Sequence, residues 1–377
     1  MTSIASTFIA RLNKLRSLDW ILVLAMFVLI LLGLSAIYSV ELSFEAGAFL
    51  NIKKQLIAVV LGVIVVIIFA LSNYRLLSNY ALISYITGVL LLVGVLIWGH
   101  TIRGAQGWFV VGPVSFQPVE FMKVILVMSL ATFFGEQARR IFGLKELFLS
   151  LGITLLPVML VLLQPDFGSA FILLGIWFIM TVFAGLPFRY FIVLFAVFLV
   201  VSLVSWSFLL APYQKARIMT FIEPTSDLLG QGYNVNQAII AIGAGGWFGR
   251  GLGFGSQSQL KFLPESQTDF IFAVIAEELG FVGVVLVLGA FTLLFVRLFQ
   301  SVRDARDNFT AYLLLGVIAI LFLQILVNVG MNLGLFPVTG IGLPYVSYGG
   351  SSLVFLMALI GITQSIFMSS RRSGSHS

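Results

Sequence analysis

Residues 262–296 read FLPESQTDFIFAVIAEELGFVGVVLVLGAFTLLFV, a polar segment that passes into a long apolar run. The apolar part is long enough to cross a bilayer as a helix, which takes about 20 residues. Four of the chain's 15 acidic residues lie in the first part of this stretch, namely Glu265, Asp269, Glu277 and Glu278. Carboxylates inside a membrane are costly and usually face a cavity or a partner. The stretch therefore predicts both a membrane helix and a functional site.

The composition of the whole chain is that of an integral membrane protein. Of its 377 residues 60% are hydrophobic and only 10% are charged, and the mean hydropathy is +1.11. Soluble domains carry about 25% charged residues. Cysteine is absent and the only histidines are His100 and His376, so disulfides, thiol catalysis, a histidine metal site and a Ser-His-Asp triad are not expected.

Ten apolar segments predict an all-α, polytopic membrane fold. They lie at 19–40, 55–72, 80–99, 119–135, 147–164, 167–186, 190–210, 270–296, 309–333 and 351–369. We expect one ten-helix membrane domain over 19–369, an N-terminal segment 1–18 and a tail 370–377. The long loop 211–269 contains apolar pieces such as IIAIGAGGWFG, which predict a structured loop along the membrane surface before helix eight.

The basic residues predict the orientation of the chain. With ten spans both termini lie on one side, and 13 of the 21 Lys and Arg residues fall on that side, seven on the other and Lys123 within a span. The positive-inside rule then places both termini in the cytoplasm and the loop 211–269 outside. The net charge of +6 is spread between apolar segments without a basic stripe, so nucleic-acid binding is not expected.

The acidic residues of the opening stretch have two interpretations each. Asp269 is expected at the N-terminus of helix eight, where it is either an N-cap or a general base at the outer membrane surface. Glu277 and Glu278 lie roughly 12–14 Å deeper and point about 100° apart. They either line a cavity or form a structural salt bridge, for which Lys123 is a candidate partner.

Further candidates lie in three other segments. Glu120 and Lys123 share a helix face at i,i+3, either as a self-contained pair or as the polar floor of a substrate cavity. Asp166 in QPDFG has the pattern of a helix cap after a turn. The basic residues of the outer loop oppose the topological preference, and they either bind phosphate, contact lipid headgroups or are solvated charges. They are Arg217 in YQKAR, Arg250 and Lys261.

A glycine run, GAGGWFGRGLGFG over 243–255, lies in the same loop. It lacks the flanking strand and helix of a dinucleotide fingerprint. The run instead predicts tight turns or close approach of the backbone to a ligand.

Six motifs together resemble the SEDS family of polytopic membrane proteins (shape, elongation, division and sporulation). In chain order they are GAQGWFVVGPVSFQPVEFMKV, QPDFGSAF, YQKARI, GYNVNQAIIAIGAGG, GSQSQLKFLPESQTDFIFAVIAEELGFVG and PVTGIGLPYVSYGGSS. The motif GSQSQLKFLPE is more similar to the sequences of the RodA branch of this family than to those of the FtsW branch. Three positions depart from the family pattern. Gly107 replaces a usual Arg, although Arg103 lies four residues earlier. Gly342 replaces a usual Pro, and Val119 replaces a usual Ser.

The resemblance implies a peptidoglycan glycosyltransferase that polymerises lipid II at the outer face of the cytoplasmic membrane during cell elongation. It also implies a class B penicillin-binding protein as partner, and membrane lipids against the apolar spans. Asp269 corresponds to the family's essential acid, and four more residues correspond to family positions: Glu120, Lys123, Asp166 and Arg217. No cofactor is evident, and whether a divalent metal acts near the carboxylates stays open.

From this resemblance and general chemistry we expect Asp269 to accept the proton of the attacking sugar hydroxyl. The cations expected to stabilise the departing pyrophosphate are Arg103, Arg217, Arg250 and Lys261. Glu277 and Glu278 are expected to line or brace the cavity. Two alternatives stay open at this point: a lipid flippase or proton-coupled transporter, and a non-catalytic scaffold for the penicillin-binding protein.

Overall fold

The computed structural model describes residues 17–43, 49–102, 104–112, 114–138, 142–209, 215, 219–222 and 231–374. In this part of the chain eight helices are long and apolar enough to cross a membrane. They are α1 (Trp20–Leu42), α2 (Leu50–Leu71), α3 (Arg75–Trp98), α4 (Pro118–Gln137), α5 (Leu144–Leu162), α10 (Ile271–Arg303), α11 (Asn308–Asn332) and α12 (Gly350–Gly374).

Two further apolar helices are shorter, α6 (Phe167–Phe183) and α7 (Phe188–Val204), with 17 residues each. All ten predicted spans thus coincide with a helix, and eight of them have the length of a full crossing. The chain is a multi-pass membrane protein. Two boundaries differ from expectation, because α10 continues to Arg303 and α12 continues to Gly374, into the segment predicted as a tail.

The centre of the bundle consists of α4, α11 and α12. In their most apolar windows 72–78% of the residues are buried, against 22–28% in α2 and α3, which lie at the periphery. Lipid tails are as apolar as leucine side chains, so the lipid-facing surfaces of membrane helices are hydrophobic too. The buried fraction of a helix, and not its hydropathy, therefore distinguishes the central helices from the peripheral ones. The central helices carry several buried polar side chains, including Lys123 and Asn328.

A small antiparallel sheet between α3 and α4 was not predicted. Its strands are β1 (His100–Ile102), β2 (Ala105–Val111) and β3 (Val114–Phe116), in the order β1-β2-β3. His100 pairs with Trp108, and Phe109 pairs with Phe116. The sheet lies directly before α4 in the chain and so brings Trp108 towards the first turn of that helix.

The loop before α10 is structured in its described part, as expected. It contains α8 (Gln231–Gly245) and the single-turn α9 (Ser256–Gln259). Between them, the glycine run packs against α10 at Gly280, whose φ of 63° and ψ of −158° interrupt the helix. The freed N–H groups of Phe281 and Val282 donate to the carbonyls of Gly246 (2.9 Å) and Trp247 (3.1 Å).

This contact explains why glycines occur in the run. A Cβ at Gly249 would lie 2.1 Å from the carbonyl oxygen of Glu278, and a Cβ at Gly280 would lie 2.2 Å from the backbone nitrogen of Gly249. The N–H of Arg250 donates to the carbonyl of Glu277 at 3.0 Å, so the two backbones pair across the break. The run makes a close backbone approach, but its partner is a membrane helix of the same chain and not the ligand that the sequence suggested.

The other end of α10 is tied to α1 and α12. Asp19 caps α1 through the N–H groups of Ile21 and Leu22, and its Oδ2 atom lies 2.7 Å from Nε of Arg297. Gln364 of α12 bonds to both the N–H (2.9 Å) and the carbonyl (3.0 Å) of Asp19. This cluster lies at the end of α10 opposite to Asp269.

Candidate active site

Asp269 lies outside α10, two residues before its first residue, Ile271. Of the two interpretations of Asp269, the N-cap is therefore wrong, because the N-cap position is Phe270 and it provides no side-chain cap. Asp269 is half-buried. Its carboxylate approaches the backbone near Gly340, where a Cβ would lie 3.8 Å from Oδ2.

The side chain of Asp269 lines a cavity of about 250 Å³. The walls come from the sheet, the start of α4, the segment 340–350 and the start of α12. The lining includes a second acid, several neutral polar groups and three aromatic rings, namely Glu120, Ser115, Gln117, Thr268, Ser347, Trp108, Tyr345 and Tyr348. Of the eight candidate residues that the structure describes, the cavity brings together two, Asp269 and Glu120.

Glu120 and Lys123 form the predicted pair. The Nζ atom of Lys123 lies 2.7 Å from Oε1 of Glu120, and both residues are buried. Glu120 contributes to the cavity wall, whereas Lys123 is not among the lining residues and lies behind it. The two interpretations of this pair are thus compatible, since the ion pair is self-contained and one member still faces the cavity.

The segment around Asp269 is held on one side by residues 347–349. Ser347 donates its hydroxyl to the carbonyl of Thr268, and the N–H of Tyr348 donates to the carbonyl of Gln267 at 2.8 Å. The side-chain amide of Gln55 in α2 contacts the same segment twice. Its Nε2 donates to the carbonyl of Ser347 (3.2 Å), and its Oε1 accepts from the N–H of Gly349 (3.1 Å). Sequence reasoning missed Gln55, although an amide at the start of an apolar span is a usable signal.

On the other side two asparagines of α11 contact the backbone of Asp269. The Nδ2 atoms of Asn328 and Asn332 lie 2.9 Å and 3.0 Å from its carbonyl oxygen. Both asparagines are fully buried. They too were missed, and their position within an apolar span was the available signal.

Glu277 and Glu278 do not line this cavity, and Lys123 pairs with Glu120 instead of with either of them. Glu277 accepts hydrogen bonds from the N–H groups of Gln257 (2.7 Å) and Ser258 (3.1 Å). Glu278 accepts from the hydroxyl of Ser39 in α1 and from the N–H of Gly253 (3.3 Å). The two carboxylates therefore brace the loop 253–259 against α1 and α10 through hydrogen bonds, and they form neither the wall of this cavity nor a salt bridge with Lys123.

Asp166 caps α6. Its Oδ1 atom accepts from the N–H of Ser169 at 2.9 Å, and the residue is not among those that line the cavity. Near it, the departure at Gly107 has a geometric consequence. A Cβ there would lie 3.5 Å from Oε1 of Gln164 and 3.9 Å from Nε2 of Gln117, so a longer side chain would point towards the cavity wall.

The two candidate cations that the structure describes, Arg250 and Lys261, lie away from the cavity. Arg250 and Lys261 are exposed and do not line the cavity, and Nε of Arg250 donates to the carbonyl of Ala244 at 3.3 Å. Arg103 and Arg217 lie outside the described residues. The part of the chain that is described holds no group of three or more His, Asp or Glu residues placed to bind a metal ion.

A second cavity of about 260 Å³ adjoins the first and shares Ser115, Tyr348 and Gly350 with it. It lies between α2 and α12, and most of its wall is apolar: Ile57, Ala58, Leu61, Phe116, Val354 and Phe355. Lys54 of α2 lies in the same wall. The sequence alone did not connect Lys54 with the site.

Comparison with known proteins gives one consistent family. Residues 16–372 match the FtsW, RodA and SpoVE family model, described as cell cycle protein. The chain is 36% identical to stage V sporulation protein E of Bacillus subtilis, over 95% of this chain and 99% of that protein. It is 41% identical to peptidoglycan glycosyltransferase MrdB of Escherichia coli, over 71% of this chain and 72% of that protein.

Solved structures agree with this result. RodA, the rod shape determining protein of Thermus thermophilus, superposes with a TM-score of 0.69 at 32% identity, over 94% of this chain and 97% of that one. A chain from a peptidoglycan synthase complex that coordinates polymerization and crosslinking superposes with a TM-score of 0.79 at 34% identity, over 94% of this chain and 98% of that one.

Proposed function

The chain belongs to the FtsW, RodA and SpoVE family and is a peptidoglycan glycosyltransferase, and we propose that it polymerises lipid II with Asp269 as the general base. The observation that carries this proposal is the placement of Asp269. It is held by its backbone at the edge of a cavity of about 250 Å³, beside aromatic and polar side chains. Cavities with a few convergent polar groups are the usual form of small-molecule sites.

The reaction requires one proton acceptor and a stabilised leaving group. A sugar hydroxyl attacks the anomeric carbon of a second lipid-linked sugar, a new glycosidic C–O bond forms and the bond from that carbon to the pyrophosphate oxygen breaks. Asp269 takes the hydroxyl proton as the new bond forms. The lipid pyrophosphate leaves with the bonding electron pair, and a nearby cation stabilises its charge.

The ion pair supports Asp269 over Glu120 as the base. Lys123 lies 2.7 Å from the Glu120 carboxylate and compensates its charge inside the protein. Proton transfer to Glu120 would weaken this buried contact, whereas Asp269 is reached from the loop side of the cavity. In this scheme Glu120 orients a polar part of the substrate and Lys123 holds the Glu120 side chain in place.

The adjoining cavity supports the assignment of the lipid end of the substrate. Its wall is mostly apolar and lies between α2 and α12, which suits a polyprenyl chain. Lys54 stands in the same wall and is our candidate for binding the pyrophosphate, together with Arg103 and Arg217. Arg250 and Lys261 are exposed and lie apart from the cavity, so we assign them no role in this step.

The orientation follows from the charge distribution. With more basic residues on the side of both termini, the positive-inside rule supports cytoplasmic termini and an outward-facing Asp269. The likeness to a chain of a peptidoglycan synthase complex supports a penicillin-binding protein of class B as partner. Relatives named as glycosyltransferases favour the enzyme over the transporter and scaffold alternatives.

The test is glycan-strand formation from purified lipid II by the full-length protein, with and without a cognate class B penicillin-binding protein. We compare wild type with Asp269→Asn. The matched control is Glu265→Gln, an exposed acid in the same loop that does not line the cavity. We expect strands from wild type and from Glu265→Gln and none from Asp269→Asn. Strand formation by Asp269→Asn at the wild-type rate would refute the base assignment.

A further inference from the structure

The side-chain amide of Asn332 lies between Asp269 and Ala273. In a helix that includes Asp269, the N–H of Ala273 would donate to the carbonyl of Asp269. Here the N–H of Ala273 donates instead to Oδ1 of Asn332 at 3.2 Å, and Nδ2 of Asn332 donates to the carbonyl of Asp269 at 3.0 Å. One amide thus replaces a single helical hydrogen bond by two, and the helix begins at Ile271.

The side chain of Asn332 also takes the role of an N-cap for α10. Ala273 is the third residue of this helix, and an N-cap side chain normally accepts a hydrogen bond from the N–H of the second or third residue. Asp269 is of a residue type that readily takes this role, and the helix dipole would favour its negative charge there. Because Oδ1 of Asn332 already accepts from Ala273, this N–H does not draw the Asp269 carboxylate back onto the helix.

Asn328 fixes the same carbonyl to the opposite wall of the cavity. Its Nδ2 donates to the carbonyl of Asp269 at 2.9 Å and to the carbonyl of Ile341 at 2.8 Å. Ile341 lies between Gly340 and Gly342, which both line the cavity. An amide NH₂ carries two protons, and both partners are oxygens that only accept, so the orientation of the amide follows from its partners.

We propose that Asn328 and Asn332 are positioning residues for Asp269. They hold its backbone outside α10, so that the carboxylate faces the cavity instead of capping its own helix. Both are fully buried, and loss of either amide leaves the Asp269 carbonyl with one donor fewer in a place that water does not reach. Displacement of a reacting group by 1 Å can lower a rate about 100-fold. This inference rests on the proposed role of Asp269.

Two leucine variants and one control test the proposal. Asn328→Leu and Asn332→Leu keep the approximate size of the side chain and remove its donor. Gln324→Leu is the control, because Gln324 is buried on α11 one turn from Asn328, and its Oε1 atom has no hydrogen-bond partner. The full-length proteins, with the penicillin-binding partner, are assayed for kcat and KM on lipid II, and the folded fraction is measured by thermal unfolding.

For both asparagine variants we expect kcat per folded molecule to fall by about 10- to 100-fold, with KM within about threefold of wild type. Gln324→Leu keeps both values. A purely structural role predicts a smaller folded fraction with wild-type kcat, and that result would overturn the proposal. A rise in KM alone would overturn it as well, because it would indicate lost substrate binding.

A third variant covers failure of the leucine variants to fold. Asn328→Asp preserves size, and a carboxyl group supplies at most one proton for two carbonyls. We expect it to fold and to lose several-fold or more in kcat; wild-type kcat overturns the proposal. The variant Asp269→Asn distinguishes a failure of the positioning role from a failure of the base assignment. If it is inactive while the asparagine variants are fully active, only the positioning role fails, and if it is active, the base assignment and the positioning role fail together.

Discussion

Lys123 and Glu120 are joined at 2.7 Å within α4, and Lys123 is only 2% exposed. Removal of one partner leaves a buried charge without compensation, which typically costs about 3–5 kcal/mol, whereas neutral replacement of both is often tolerated. We therefore expect Lys123→Met to lower the stability of the detergent-solubilised protein strongly. The double variant Glu120→Gln with Lys123→Met is expected to recover much of that loss without recovering polymerisation.

Thermal unfolding and strand formation, measured on the two single variants and the double variant, test this prediction. Equal destabilisation by Lys123→Met and by the double variant would show that the pair is not coupled. Full polymerisation by the double variant would show that the cavity does not need the charge of Glu120.

The break in α10 gives a second prediction. Gly280 has backbone angles that are essentially confined to glycine, and a Cβ there would lie 2.2 Å from the nitrogen of Gly249. We expect Gly280→Ala to destabilise the protein by about 2 kcal/mol or more, because the loop 246–251 must move away. Gly289→Ala in the same helix is the matched control, since a Cβ there meets nothing within 4 Å.

Unfolding temperatures of the two alanine variants are to be compared in the same detergent. Gly289→Ala is expected to be neutral or slightly stabilising, as alanine favours a helix interior by up to about 1 kcal/mol. If Gly280→Ala unfolds at the temperature of Gly289→Ala, the break is not required for packing of the loop.

Much of the fold could be predicted from the sequence, because each membrane-spanning helix is determined by its own residues. An apolar run of about 20 residues in a bilayer must form a helix to satisfy its own backbone hydrogen bonds. A helix was found at each of the ten predicted segments. The cluster of acids around Asp269 was equally visible. The motif resemblance then separated Asp269 from its neighbours, which spacing alone did not do.

What the sequence did not reveal depends on contacts between distant residues. The pairing of His100 with Trp108 uses three-residue strands that carry little pattern of their own. The break at Gly280 follows from the approach of Gly249, and the contacts of Asn328 and Asn332 follow from the packing of α11 on α10. Amides within apolar spans were the signal that was overlooked.

Glu277 provides a third prediction, which concerns the loop 253–259. Its two carboxylate oxygens accept separately from the N–H groups of Gln257 (2.7 Å) and Ser258 (3.1 Å). In Glu277→Gln the amide NH₂ would face one of these donors, so one buried hydrogen bond is lost at a cost of about 1–3 kcal/mol. We expect faster hydrogen exchange in the loop 253–259, measured by mass spectrometry on the purified protein.

The same experiment has a control at Glu265, an exposed acid outside this contact. Glu265→Gln is expected to leave exchange in 253–259 unchanged. Wild-type exchange in Glu277→Gln would mean that the loop is held mainly by its backbone contacts at Gly280.

The last prediction concerns two adjacent lysines of α2. Lys54 lies in the wall of the apolar cavity beside the site, whereas Lys53 is exposed and is not part of that wall. If Lys54 binds the pyrophosphate of the lipid substrate, Lys54→Met removes a charge-assisted contact, and such contacts contribute about 1.5–3 kcal/mol. We expect kcat/KM for lipid II to fall by roughly 10- to 150-fold, whereas Lys53→Met, which removes the same charge from the same turn, stays near wild type. Strand formation over a series of lipid II concentrations measures both. Equal effects of the two substitutions would indicate a general surface-charge contribution, and no effect of Lys54→Met would leave the pyrophosphate to Arg103 and Arg217.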